Sequence, residues 1–217
     1  KDRRSSWIIN TFAQAADRFV LITSGNGGYS LTKMCAAHDK SLCVTSLVEK
    51  EVSPAICSAL QQAGSDVREL ETHRIYSEDE LIALARTLDT ERVINVTAGC
   101  EEAYIGIIEE LAPIKPDRIV CPVGSGELFA GLILGLERCK LDAMLWGVAV
   151  EDQHSIADKL IGDWRSYQQQ IDQACKEGHQ LLVLPEVEVR RAQTLVPQGI
   201  DAEPSAGVVY SMLEACR

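Results

Sequence analysis

The stretch Ile119-Val120-Cys121-Pro122-Val123-Gly124-Ser125-Gly126-Glu127-Leu128-Phe129-Ala130-Gly131 decides the reading of the fold. A short β-branched run enters a glycine-serine-glycine turn, and an apolar segment of helical period leaves it; strand, tight loop and helix are predicted. Glycines let a backbone approach a ligand closely and adopt dihedrals closed to other residues. The unpaired N–H groups at the start of the following helix face the loop, a setting that favours an anion such as phosphate. The same pattern also serves as a plain, tight βα connection.

The rest of the chain alternates around this unit. Strands are predicted at 19–23, 41–48, 67–70, 93–96, 145–150 and 180–184. Helices are predicted at 29–38, 54–63, 78–88, 101–111, 128–139, 155–160, 167–177 and 185–195, with a last one after Pro204. Ser77, followed by acidic residues, reads as an N-cap. Ahead of the first strand, Trp7, Ile8, Phe12 and Ala15 or Ala16 fall near one helical face. Such alternation means an α/β fold with a mainly parallel sheet, whose ligands bind outside the carboxyl ends of the strands. The three small-residue loops at 23–28, 123–126 and 199–207 are all expected at such ends.

Composition narrows the function. Of 217 residues, 46% are hydrophobic but only 5% aromatic, so the core must rest on Ala, Val, Ile and Leu. With 21 basic against 32 acidic residues the formal charge is -11, which argues against nucleic-acid or membrane partners. An anionic ligand would need local backbone donors. The cysteines at 35, 43, 57, 100, 121, 139, 175 and 216 form no C-x-x-C pair, so no metal site is expected. Cys43 and Cys121 fall in apolar strands, where a reduced thiol acts as a small hydrophobe, and a reducing cytoplasm is expected. No signal peptide or membrane-spanning run is visible.

Three more stretches accompany the central one. The chain begins Lys1-Asp2-Arg3-Arg4; Phe19-Val20-Leu21-Ile22-Thr23-Ser24-Gly25-Asn26-Gly27-Gly28 follows; Gly199-Ile200-Asp201-Ala202-Glu203-Pro204-Ser205-Ala206-Gly207 comes last. In this order the four resemble the tryptophan-synthase-β-like family, the fold type II enzymes that use pyridoxal 5′-phosphate (PLP). That family includes cysteine synthase, threonine synthase, threonine dehydratase and serine racemase. The resemblance runs over essentially the whole chain. It implies two three-layer α/β/α lobes with mainly parallel sheets, the smaller at 19–96 and the larger formed by 1–18 with 97–217. Family members carry a further segment before their K-D-R lysine, so a fragment is expected.

The resemblance also implies roles. Lys1 matches the lysine that holds PLP as a Schiff base; such an amine must be neutral to attack, which desolvation favours. Its alternative is a solvated terminal lysine. Ser24, Gly25, Asn26, Gly27 and Gly28 match the S-G-N-x-G loop, with Ser24 and backbone N–H groups for the substrate carboxylate and Asn26 for the cofactor's phenolic oxygen. The alternative is a turn with an N-cap. Gly124, Ser125, Gly126 and Leu128 would receive the cofactor phosphate. Glu127 puts a carboxylate in the same turn: pointing to solvent it is harmless, pointing inward it is expected to weaken phosphate binding. Ser205 matches the hydroxyl residue opposite the pyridine nitrogen, where an unprotonated ring is a weaker electron sink; alternatively it is a helix N-cap.

The expected reaction is elimination or replacement at Cβ or Cγ of an amino acid, threonine synthase-like or threonine/serine dehydratase-like. Cysteine-synthase-like β-replacement stands second. A catalytically silent relative that keeps the fold for binding or regulation is a further alternative, and an unrelated phosphate-binding α/β protein another. A small amino-acid substrate and a homodimer are the expected partners.

Overall fold

A computed structural model of the chain describes residues 1–71, 74–151, 154–160 and 165–212. It divides into two compact units, Lys1–Ala103 and Tyr104–Arg217.

The first unit begins with helix α1 (Asp2–Phe12) and strand β1 (Arg18–Ile22), followed by α2 (Asn26–His38), β2 (Cys43–Glu49), α3 (Pro54–Ala63), β3 (Asp66–Leu70), α4 (Glu78–Ala85) and β4 (Val93–Asn95). The sheet order is β3-β2-β1-β4 and every pairing is parallel, with Phe19 opposite Val44 and Ile94. Alternation along β1 feeds two layers. Phe19 and Leu21 pack with Ile8 and Ile9 of α1 and Leu31 and Cys35 of α2, whereas Val20 joins Leu47, Leu70, Leu81 and Ala85 on the opposite face. Residues 1–18, which the resemblance gave to the larger lobe, thus lie within this unit. The cause is the apolar face of α1, which covers the β1 side of the sheet. Local signals set the helix ends. Ser53 Oγ accepts from Ile56 N ahead of Pro54, Gly64 ends α3 in the left-handed region, and Ser77 with Glu80 forms a capping box at α4.

A 3₁₀ turn over Glu101–Tyr104 leads into the second unit, with α5 (Ile105–Leu111), then β5 (Arg118–Pro122), α6 (Glu127–Cys139), β6 (Met144–Val150), α7 (Gln168–Lys176), β7 (Gln180–Leu184), α8 (Glu186–Thr194) and the short α9 (Pro204–Gly207). The sheet runs β5-β6-β7, all parallel. Leu145 and Ala149 face a core with Ile108, Phe129, Leu132, Tyr167 and Ile171, whereas Trp146, Val148 and Val150 face Leu184, Val189 and Val208. Between them Gly147 allows a close approach: a Cβ there would lie 2.8 Å from Val123 Cγ2 and 2.9 Å from Phe129 Cδ2.

Three local expectations change. The helix expected at 155–160 is a 3₁₀ turn over Asp158–Leu160. Cys43, the first residue of β2, is exposed rather than part of the core. The loop at 199–207 follows α8 and not a strand, because β7 passes through Pro185 directly into that helix. Cys216 and any continuation of the last helix beyond 212 lie outside the described residues. Among the described residues no helix is long and apolar enough to cross a membrane, and no cluster of three or more His, Cys, Asp or Glu is placed to hold a metal ion.

Candidate active site

In the first unit, Lys1 is the exposed N-cap residue of α1. The helix behind it is firmly tied. Arg4 is buried and donates to the carbonyls of Val96 and Thr97, the latter at 3.2 Å. Ser30 Oγ of α2 donates to Asp2 Oδ1 at 2.7 Å and lies 2.8 Å from Ser5 Oγ. These ties set Lys1 and Asn26 on one open depression of about 600 Å³, shared with Asp2, Tyr29, Ser30, Lys33 and Met34. Two residues matched to separate family motifs therefore come together. Tyr29 and Lys33 are lining residues that motif reading does not single out. Tyr29 lies about one helical turn after Asn26 and Lys33 one turn after Tyr29, which is the signal that could have found them, and Lys33 Nζ stands 5.8 Å from the Tyr29 ring centroid.

The loop after β1 keeps part of its donor set for itself. Thr23 Oγ1 accepts from Gly25 N at 3.1 Å and Gly28 N at 3.2 Å. Two of the N–H groups expected to face a substrate carboxylate are thus engaged by a threonine hydroxyl, a bond in which Ser24 and the first-turn amides of Asn26 and Gly27 take no part. Ser24 and Asn26 are exposed, Gly27 is half-buried, and Gly25 and Gly28 are buried. The capping position of α2 belongs to Gly25. Its φ of 132° and the 2.8 Å that a Cβ would leave to Ile56 Cγ2 admit only glycine there.

In the second unit the turn after β5 begins with Val123 N donating to Val148 O at 2.8 Å, which extends the sheet to the edge of the turn. Ser125 is exposed and Gly124 and Leu128 are half-buried. Gly126 caps α6 at φ 87°, in the left-handed region. Glu127 is the first residue of that helix and is only 5% exposed. Its side chain points inward, where Tyr167 Oη donates to Oε1 at 3.2 Å and Tyr104 Oη approaches Oε2 at 3.5 Å. The carboxylate meets hydroxyl donors, and Gly124, Ser125 and Gly126 carry no charged side chain, so the residues of the turn itself fit a phosphate group. No local pattern announces these tyrosines, which lie 23 and 40 residues away.

Ser205 is buried as the second residue of α9. The capping position falls to Glu203, whose carbonyl accepts from Ala206 N and Gly207 N; the reading of Ser205 as an N-cap is therefore set aside. Gln193 Nε2 donates to Pro204 O at 3.2 Å and holds α9 to α8.

The family described as "Pyridoxal-phosphate dependent enzyme" matches the chain over residues 1–217. No curated protein sequence matches it. Among solved structures, a pyridoxal 5′-phosphate-dependent aspartate racemase superposes with a TM-score of 0.75 at 15% identity, covering 97% of this chain and 72% of that one. A serine racemase from Dictyostelium discoideum gives 0.72 at 17% identity, with 97% and 74% covered. A fungal L-serine ammonia-lyase from Rhizomucor miehei gives 0.68 at 20% identity, with 99% and 76% covered. These likenesses show the fold, with its two parallel α/β units.

Proposed function

Because the chain belongs to the pyridoxal-phosphate dependent enzyme family, with PLP as its cofactor, we propose that it catalyses elimination or replacement at Cβ or Cγ of a small amino acid. The observation that carries this reading is the shared depression of Lys1 and Asn26. When bound, PLP supplies an electron sink for the pair left on Cα once its proton departs. The chain's own groups do the rest. Lys1 Nζ would hold the cofactor covalently, and its amine would serve as general base for the α-proton. Asn26 would hydrogen-bond the cofactor, and Ser24 with the Asn26 and Gly27 amides would orient the substrate carboxylate. The Gly124–Leu128 turn would hold the phosphate through backbone N–H groups, and Ser205 would offer the ring nitrogen a neutral hydroxyl. A neutral hydroxyl there favours loss or exchange of a side-chain substituent over transamination. Threonine synthase-like or threonine/serine dehydratase-like turnover is the first expectation, cysteine-synthase-like replacement the second.

Borohydride reduction of the chain mixed with PLP, followed by peptide mass mapping, tests the assignment. A pyridoxyl group on the Lys1 side chain, absent from Lys1→Ala, is expected; labelling scattered over other lysines would refute it. Serine, threonine and their activated esters are then the substrates to screen for keto-acid release or replacement.

A further inference from the structure

We propose that Glu127 is a positioning residue for the cofactor's phosphate, acting through its contacts with Tyr104 and Tyr167 on the first turn of α6. The inference rests on the phosphate assignment of the Gly124–Leu128 turn made above. Glu127 occupies the first helical position, so its own amide is among the N–H groups that face that turn. Amide and side chain leave the same Cα, and holding one holds the other. The hydroxyls come from opposite flanks: Tyr104 stands just before α5, Tyr167 just before α7. Both rings are buried, at 8% and 3% exposure. Tyr167 packs with Phe129, Ile108 and Ile171, which belong to α6, α5 and α7. The carboxylate is thereby held against the buried core.

Sequence reasoning sets the opposite expectation, that an inward carboxylate repels a dianionic phosphate. The two accounts predict opposite signs. If Glu127 acts chiefly by charge, its removal tightens PLP binding. If it acts by position, removal loosens the turn and weakens the hold on phosphate, while leaving the ring and aldehyde contacts, which other residues make, untouched. The tyrosine donors favour the second account. Hydroxyl bonds to a buried carboxylate offset its burial and fix its direction.

The test is a spectroscopic titration of the cofactor-free full chain with PLP and, separately, with pyridoxal, which has the same ring and aldehyde but no phosphate. The variants are E127A, E127Q and Y167F, each checked for folding by thermal unfolding. For E127A the dissociation constant for PLP is expected to rise about tenfold, as the loss of a charge-assisted buried bond implies, with pyridoxal binding unchanged within about twofold. E127Q, which keeps one acceptor oxygen, and Y167F, which removes a single hydroxyl, should shift PLP in the same direction by smaller factors; these two carry the test if E127A does not fold. Unchanged or tighter PLP binding in folded variants would overturn the proposal, as would equal losses for PLP and pyridoxal, which mark a general structural role. A wild-type chain that does not distinguish PLP from pyridoxal would overturn the phosphate assignment itself, and this inference with it.

Discussion

Ser30 Oγ donates to the Asp2 carboxylate at 2.7 Å, so the helix that starts beside Lys1 is locked to the helix that starts at Asn26. The same hydroxyl lies 2.8 Å from Ser5 Oγ inside a buried contact. One side chain thus aligns the two helix starts that line the depression.

Ser30→Ala removes both contacts and leaves Ser5 and Asp2 to find other partners. The expected cost is about 1–2 kcal/mol of folding stability, read as a lower urea midpoint at unchanged slope. Borohydride trapping of PLP at Lys1 should slow as well. A variant with wild-type stability and trapping would show that this hydroxyl does not align the site.

Adjacent glycines in the β1 loop should respond in opposite ways. A Cβ at Gly28 would meet Ser46 Oγ at 2.6 Å and Thr23 Cγ2 at 2.9 Å, and Leu60 Cδ2 at 3.1 Å. Gly28→Ala is therefore expected to cost about 1–3 kcal/mol through overpacking. At Gly27 the nearest atom, Thr23 Oγ1, is at an ordinary 3.4 Å. Gly27→Ala in the first turn of α2 should be neutral or stabilising by about 0.5 kcal/mol. Thermal unfolding of the pair checks the contrast.

Thiol reactivity should sort by burial. Desolvation pushes the Cys121 thiol up to about 12, and Cys35 to about 12 with a smaller contribution from Cys43. Cys43 and Cys175 are exposed. Iodoacetamide at about pH 8, near an ordinary thiol pKa, should label Cys43 and Cys175 in the native chain and reach Cys35 and Cys121 only after unfolding. Mass mapping decides it; early labelling of Cys121 would contradict the packing of β5.

Asp17 and Arg92 supply a pH-dependent tie. Arg92 donates to the Asp17 carboxylate through Nη2 at 2.7 Å, Nε at 3.1 Å and its backbone N at 2.9 Å. The side-chain bonds, then the backbone bond, lower the Asp17 pKa from 3.8 to about 2. A depressed carboxylate pKa contributes stability that is present above the unfolded value and lost as pH falls through the folded one. The loss is therefore expected between pH 3.8 and about 2. Arg92→Ala should return the Asp17 titration, followed by NMR, towards 3.8; a titration that stays near its low value would assign the shift elsewhere.

Much of the fold was legible because its signals are local. The strand at Gln180–Leu184 and the helix at Pro54–Ala63 follow from a β-branched or apolar run bounded by turn residues, and the Ser77 cap from a serine followed by acidic residues. The glycine-serine-glycine turn identified strand, loop and helix for the same reason. The helix start was less legible at Ser205. A serine near such a start looks like a cap, yet the backbone of Glu203 occupies that position.

The sequence by itself determined the alternation of parallel strands and helices, the positions of the small-residue turns and the family they belong to. All of these depend on period, turn chemistry and motif order along the chain. Tertiary structure alone decided which partners the polar groups of those turns take. Thr23 captures the Gly25 and Gly28 amides, α1 docks on the β1 sheet through Ile8 and Ile9, and Glu127 turns inward to Tyr104 and Tyr167. A buried polar group must find a partner wherever packing brings one. Tyr167 reaches Glu127 from 40 residues away, a distance over which no local pattern carries information.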